Sequence, residues 1–234
     1  MNDAANHNDG FEPGRLTAPS GIALAYDVIG QGEPVFLLHG GGQTRHSWAK
    51  TARSLAELGY RAISVDARGH GESDWARQYS LPLFAEDLSA LVSNLTSEER
   101  PVIIGASLGG LSAIVALGSE DPPPASALVL VDIATKIKKD GAAQIRDFMA
   151  AHRDGFASIE EAADAVSRYM TDRPRPKNPA GLRKNLRERD GRLYWHWDPD
   201  FLTGGMDADP NLERTDLDRL TARLELPVLL VRGE

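Results

Sequence analysis

A serine flanked by glycines is the main candidate for chemistry in this chain of 234 residues. Residues 105–109 read Gly-Ala-Ser-Leu-Gly, so Ser107 stands in a G-x-S-x-G pattern. The pattern follows the apolar run 102–104 and leads into residues 109–117, which are mostly small and apolar. On a tight strand-to-helix turn a serine hydroxyl is pushed out at the carboxyl edge of the sheet, and flanking glycines avoid steric clashes. This placement predicts that Ser107 is a nucleophile for acyl transfer.

A second glycine-rich turn could hold the oxyanion of that reaction. Residues 39–42 read His-Gly-Gly-Gly and directly follow the apolar run 35–38, which predicts a buried strand. A backbone with little side-chain cover presents free N–H groups, and two fixed donors stabilise the oxyanion of a tetrahedral intermediate. We predict that these donors are the N–H groups of Gly41 and Leu108. The alternative is a flexible turn without a catalytic role.

The residues on either side of Gly41 are predicted to support the turn. Gly40 and Gly42 leave the backbone uncovered. His39 is expected to hold the loop by hydrogen bonds to nearby backbone, with proton transfer as the less favoured role.

Three motifs in this order resemble the α/β-hydrolase superfamily: His-Gly-Gly-Gly at 39–42, Asp-Ala-Arg-Gly-His-Gly-Glu-Ser-Asp at 66–74 and Gly-Ala-Ser-Leu-Gly-Gly at 105–110. The resemblance spans residues 16–132 and points to the branch of cofactor-free haloperoxidases, carbon–carbon bond hydrolases, enol-lactonases and small esterases. It implies a mostly parallel α/β sheet with an inserted helical cap, and an acyl-enzyme formed on Ser107. Epoxide hydrolases and haloalkane dehalogenases attack with an aspartate, so the serine disfavours both.

The order of the predicted strands and helices fits that fold. Short apolar runs alternate with helical patterns up to residue 132, which indicates parallel strands joined by crossover helices. Beyond this point the strand patterns stop and helical patterns follow, and residues 160–170 form the clearest amphipathic segment. We therefore divide the chain into a disordered tail (1–15), a hydrolase core (16–132), a helical cap (133–225) and a return strand of the core (226–234).

The acid and the base of a catalytic triad are harder to place. In the superfamily both follow the nucleophile in the chain, with the histidine after the last strand. The strand predicted at 227–231 corresponds to the one before the usual acid, so we expect both residues to lie beyond Glu234 in a longer protein. Asp132 is an alternative acid, unless it caps a helix or orders a loop. His152 and His196 are poor candidates for the base, because both fall in the predicted cap.

Aromatic residues are candidates for the walls of a substrate pocket. Trp195, His196 and Trp197 form a cluster in the predicted cap and could line the pocket roof. Trp48 follows the glycine turn and could wall the same pocket. A tryptophan on the core face of a helix is the alternative for Trp48.

The composition argues against several other classes. No cysteine is present, which excludes a thiolate nucleophile, thiolate zinc sites and iron–sulfur ligation. The 34 acidic against 26 basic residues argue against nucleic acid as a partner. No metal-binding histidine spacing or nucleotide-binding glycine motif occurs, so we predict no metal and no cofactor. Without a signal peptide or membrane-spanning run, we expect a cytoplasmic protein with no membrane partner.

Together these features predict a serine hydrolase that cleaves a small carboxylic ester or lactone. Carbon–carbon bond hydrolysis and perhydrolysis would use the same serine, and the sequence does not separate them. A protein that binds a small molecule on a hydrolase scaffold without catalysis is the alternative from another class. For the 234 residues alone we expect little turnover, because loss of a catalytic base removes several orders of magnitude of rate.

Overall fold

The central strand of the sheet, β3 (Pro34–Leu38), is buried along its whole length. The computed structural model describes residues 10–133, 147–169, 175, 178–202 and 214–233. The other strands are β1 (Glu12–Thr17), β2 (Ala23–Ile29), β4 (Arg61–Val65), β5 (Val102–Ala106), β6 (Ala127–Val131), β7 (Leu186–Arg189), β8 (Arg192–Trp195) and β9 (Val228–Val231). Seven of them form one sheet in the order β1-β2-β4-β3-β5-β6-β9.

Most of this sheet is parallel. β4, β3, β5, β6 and β9 run in one direction, whereas β2 pairs antiparallel with both β1 and β4 at one edge. The predicted α/β class with a mostly parallel sheet is therefore confirmed. Because the carboxyl ends of parallel strands share one edge, the segments that follow β3, β4, β5 and β6 meet there.

Helices cover both faces of the sheet. The described helices include α1 (Ala49–Glu57), α2 (Leu81–Leu95), α3 (Leu108–Leu117), α4 (Ile159–Tyr169) and α5 (Arg214–Ala222), with short 3₁₀ helices at Arg45–Trp48, Pro179–Asn185 and Pro199–Leu202. Of these, α4 packs on the 3₁₀ helix Pro179–Asn185 and α5 packs on α3. Every residue of α3 is buried, because its small and apolar side chains pack against both the sheet and α2. No helix in the described part of the chain is long and apolar enough to cross a membrane.

The predicted disordered tail extends too far along the chain. It extended to residue 15, but β1 begins at Glu12 and pairs with β2 through Thr17. Pro13 and Gly14 hide this strand in the sequence, because both residue types are depleted in strands and Pro is tolerated at an edge. Residues 1–9 lie outside the described residues.

The segment predicted as a helical cap also contains a hairpin. β7 and β8 pair antiparallel, so the expectation of helices alone is wrong for these residues. The cross-strand pairs include Leu186 opposite Trp195, and such pairs stabilise a hairpin through their side chains. Residues 134–146, part of the same predicted cap, lie outside the described residues.

The last helix of that predicted segment packs on the core. The Leu220 carbonyl of α5 lies so close to Gly118, at the end of α3, that no Cβ would fit there. α5 thus packs on α3 and leads into β9. β9 lies within the predicted return strand at 226–234 and pairs in parallel with β6.

The four residues of β9 form an exposed apolar edge. Val228, Leu229, Leu230 and Val231 are between 44% and 58% exposed, and among the described residues β9 pairs with β6 alone. An exposed apolar edge strand can template pairing with another chain. We expect the 234-residue chain to self-associate through this edge, and Leu229→Lys to raise its monomer fraction in light scattering.

A matched control for this prediction is Leu58→Lys. Leu58 is 73% exposed but follows a helix instead of lying on a sheet edge. It should leave the monomer fraction unchanged. A monodisperse wild-type chain, or equal effects of the two lysines, would contradict the prediction.

Candidate active site

Ser107 occupies the bend between β5 and α3 in a strained backbone conformation. Its φ of 46° and ψ of −113° lie outside the regions that residues with a side chain normally adopt. The bend is tight, because a Cβ placed on Gly105 would lie only 2.5 Å from the Gly110 nitrogen. Ser107 itself is exposed. Ser107, the predicted nucleophile, therefore lies at the carboxyl edge of the sheet.

The glycine loop, residues 39–42, lies directly beside this serine. A Cβ placed on Gly40 would lie 3.4 Å from the Cβ of Ser107. The first turn of α3 is tied to the same loop, since the Gly109 N–H donates to the His39 carbonyl at 3.1 Å. The two glycine motifs that are separate in the sequence therefore form one site.

Two backbone donors at this site remain available. The N–H groups of Gly41 and Leu108 make no hydrogen bond to any residue that the structure describes. Leu108 opens α3, and the first N–H groups of a helix have no acceptor within the helix. These are the two donors predicted for the oxyanion.

His39 controls the direction of the Gly41 donor. The Gly40 carbonyl and the Gly41 N–H belong to one planar peptide unit and point in opposite directions. The His39 Nδ1–H donates to that carbonyl at 2.7 Å, while its Nε2 accepts from the Ala67 N–H at 3.0 Å. Both ring nitrogens of His39 are therefore engaged with backbone groups.

Two further histidines hold Gly42. The His70 Nε2 accepts from the Gly42 N–H at 3.1 Å. The His196 Nε2–H donates to the Gly42 carbonyl at 3.3 Å, and its Nδ1 accepts from the Gly71 N–H at 2.8 Å. Each of these rings accepts a hydrogen bond from a backbone N–H, so each is neutral.

Burial favours the same neutral forms. Desolvation lowers the pKa of His39 and lowers that of His70 well below its ordinary value. It also lowers the pKa of His196 to about 3. The neighbouring imidazoles act in the same direction on His70 and His196, because a second positive charge would be unfavourable there.

The bend at 66–74 is fixed by two buried charge networks. The Arg68 guanidinium makes two bonds of 2.6 Å to the Asp87 carboxylate on α2. The Asp66 carboxylate accepts from both the backbone N–H and the guanidinium of Arg45. The partners Arg45 and Asp87 are buried in the structure, but nothing in the sequence separates them from surface charges.

The segment after β8 is tied to this bend. The Tyr79 hydroxyl donates to the Asp198 carboxylate at 2.6 Å, and the Asp198 N–H donates to the Gly69 carbonyl at 2.8 Å. The Phe201 ring packs edge-on against His70 with ring centroids 4.7 Å apart. Tyr79, Asp198 and Phe201 were not predicted as site residues, because their contacts join distant parts of the chain.

The predicted pocket tryptophans have different surroundings. Trp48 packs with the core cluster around Val35 on the α1 side of the sheet, so the core alternative describes it. Trp195 is buried and stacks on Trp197 with ring centroids 4.8 Å apart. Of the three, Trp197 reaches the glycine loop, because a Cβ on Gly42 would lie 3.6 Å from its ring.

Among the described residues, no histidine meets the predicted nucleophile. None of the imidazoles in the described part of the chain is hydrogen-bonded to Ser107. His152 is exposed and packs on the Phe156 ring instead. Asp132 follows β6, the neighbour of β5, and is exposed at the same edge of the sheet with a φ of 53°.

Comparison with known proteins finds relatives for most of the chain. A family model described as the alpha/beta hydrolase fold matches residues 33–202. An esterase of Mycobacterium tuberculosis is 30% identical over 213 residues, which cover 87% of this chain and 67% of that protein. A protein phosphatase methylesterase of Bos taurus is 29% identical over 144 residues, or 59% of this chain and 38% of that protein.

A solved structure shows the same fold. The crystal structure of an alpha/beta hydrolase from Novosphingobium aromaticivorans superposes with a TM-score of 0.78 at 23% identity, covering 96% of this chain and 90% of that one. Since the family model spans most of the chain, this protein belongs to the α/β-hydrolase family. It covers well under half the length of the bovine methylesterase that it matches.

The buried neutral histidines make folding stability depend on pH. Below the ordinary pKa of 6.5 the unfolded chain binds a proton at His196, whereas the folded protein stays unprotonated there down to about pH 3. The unfolded state then binds more protons, so the free energy of unfolding falls as the pH falls. We expect the urea midpoint to be lower at about pH 5 than at about pH 7.5.

Two variants separate this effect from general acid destabilisation. His196→Gln removes one of the titrating groups and should reduce the difference between the two midpoints. His152→Gln changes an exposed histidine and should leave the difference as it is. A wild-type midpoint that stays constant or rises on acidification would contradict the prediction.

Proposed function

We propose that this protein is a serine hydrolase that cleaves a small carboxylic ester or lactone through an acyl-enzyme on Ser107. The observation that carries the proposal is the position of Ser107. It is exposed in a strained bend, beside the loop of Gly41 and directly before Leu108, and no described residue accepts a hydrogen bond from the N–H of Gly41 or of Leu108. A nucleophile flanked by two fixed donors is the arrangement that acyl transfer requires.

The proposed reaction has two steps. The Ser107 oxygen attacks the substrate carbonyl, and the negative charge that develops on the carbonyl oxygen is stabilised by the two N–H donors. The alcohol, or the ring oxygen of a lactone, leaves with a proton, and water then releases the acid from Ser107. The general base is a histidine in our proposal, but we assign this role to none of the described ones, since none is bonded to Ser107.

The surroundings of the glycine loop favour a small apolar acyl group. A Cβ on Gly41 would lie 3.7 Å from the Phe201 ring, and one on Gly42 would lie 3.3 Å from the Met149 sulfur. The Trp197 ring lies on the same side of Gly42. These cap side chains cover the loop with apolar surface, which suits a substrate without charge near its carbonyl. The names of the esterase and methylesterase relatives support ester cleavage.

A fluorophosphonate probe tests the proposal on the full-length natural protein. We expect one phosphonyl adduct, located on Ser107 by peptide mass spectrometry, together with hydrolysis of p-nitrophenyl acetate. Ser107→Ala should abolish the adduct and lower kcat by at least about a thousandfold. Ser93→Ala, which changes an exposed serine of α2, should alter neither.

Two outcomes would contradict the proposal. Labelling that survives Ser107→Ala would place the nucleophile elsewhere. A folded protein that is neither labelled nor hydrolytic would favour the alternative of a small-molecule-binding protein on a hydrolase scaffold.

A further inference from the structure

Among the described residues of the predicted cap, His196 is the one whose side chain is hydrogen-bonded to the glycine loop. This residue directly follows β8 and is only 2% exposed. Its two ring nitrogens bridge two core loops, one bond to the Gly42 carbonyl and one from the Gly71 N–H. A buried side chain with both polar atoms used in this way has one orientation, and it fixes the groups to which it is bound.

Three consecutive peptide units of the glycine loop are each held by a different imidazole. The unit of the Gly40 carbonyl is held by His39, and the unit of the Gly42 N–H is held by His70. The unit of the Gly42 carbonyl is held by His196. The first two histidines belong to the core, so the cap supplies the third support.

We propose that His196 is a positioning residue that couples docking of the cap to the orientation of the oxyanion donor on Gly41. The inference rests on the proposed function of that N–H group. Rotation of the peptide unit that follows Gly42 changes the backbone dihedral angles of the loop. Because the Gly41 N–H lies within the same short turn, its direction changes as well. Donors that are already oriented cost no reorganisation at the moment of reaction, so loss of this support slows the chemical step.

The neighbours of His196 make it possible to remove the imidazole without releasing the cap. The Trp197 ring packs against the glycine loop, since a Cβ placed on Gly42 would lie 3.6 Å from it. The Asp198 carboxylate accepts from Tyr79, and Phe201 packs on the same bend as described above. These contacts keep the segment docked, so variants at His196 should change the loop more than the cap.

Two substitutions separate the two hydrogen bonds of His196. The amide nitrogen of His196→Gln can replace Nε2 and donate to the Gly42 carbonyl. The amide oxygen of His196→Asn can replace Nδ1 and accept from the Gly71 N–H, but it is too short to reach Gly42. We therefore expect His196→Asn to lower kcat for p-nitrophenyl acetate by about 10- to 100-fold with little change in KM, and His196→Gln to recover most of it.

The matched control is His152→Asn, which changes an exposed histidine of the cap. It should leave kcat and KM unchanged. Affinity for a trifluoromethyl ketone, whose adduct carries an oxyanion, should fall for His196→Asn in parallel with kcat. Amide hydrogen exchange of the peptide that contains Gly42 should become faster in this variant, whether or not the protein is active.

The outcomes distinguish this inference from the proposed function. If Ser107→Ala has no effect on hydrolysis, the proposed function fails before His196 is considered. If Ser107 is essential but His196→Asn retains the wild-type kcat, or if Asn and Gln have equal effects, the positioning role is overturned. Unchanged exchange at Gly42 in a folded His196→Asn protein would overturn it as well.

Discussion

The close approach of α3 to the ends of two strands is the constraint on which the site depends. At the bend, Gly105 faces the backbone of Gly110, and a Cβ on Gly109 would lie 2.5 Å from the Leu38 carbonyl oxygen. Larger residues at these glycines would push the helix away from β5 and β3. The same closeness holds Ser107 in an unfavourable backbone conformation and brings its Cβ next to the glycine loop. Packing of the core thus supports the strain at the candidate nucleophile.

Hydrogen bonds from neutral imidazoles are the second constraint on the candidate site. An imidazole can donate from one nitrogen and accept at the other, so one buried ring can link two backbone segments without carrying charge. His39, His70 and His196 all do this around the glycine loop. The consequence is that three histidines near the candidate nucleophile are occupied in shaping the glycine loop and are unsuited to accept its proton.

Local motifs made much of this fold and site predictable. The bend at Ser107 and the turn at Gly41 depend on glycines that are adjacent in the chain, and the apolar runs mark the strands before them. The supports depend on contacts over long distances in sequence, since His196 meets Gly71 across 125 positions. The spacing of residue types along the chain does not reveal such a contact. The strand β1 was missed for a different reason, because Pro13 and Gly14 break the usual strand pattern. Trp48 could equally be core or pocket until its packing was known.

The most direct test of the account is the crystal structure of the full-length protein after reaction with a fluorophosphonate. The account predicts a covalent bond from the Ser107 oxygen to phosphorus, with one phosphoryl oxygen about 2.7–3.1 Å from both the Gly41 and the Leu108 nitrogens. An adduct on Ser107 whose phosphoryl oxygen contacts neither nitrogen would contradict the assignment of the oxyanion site. An adduct on another residue would contradict the account as a whole.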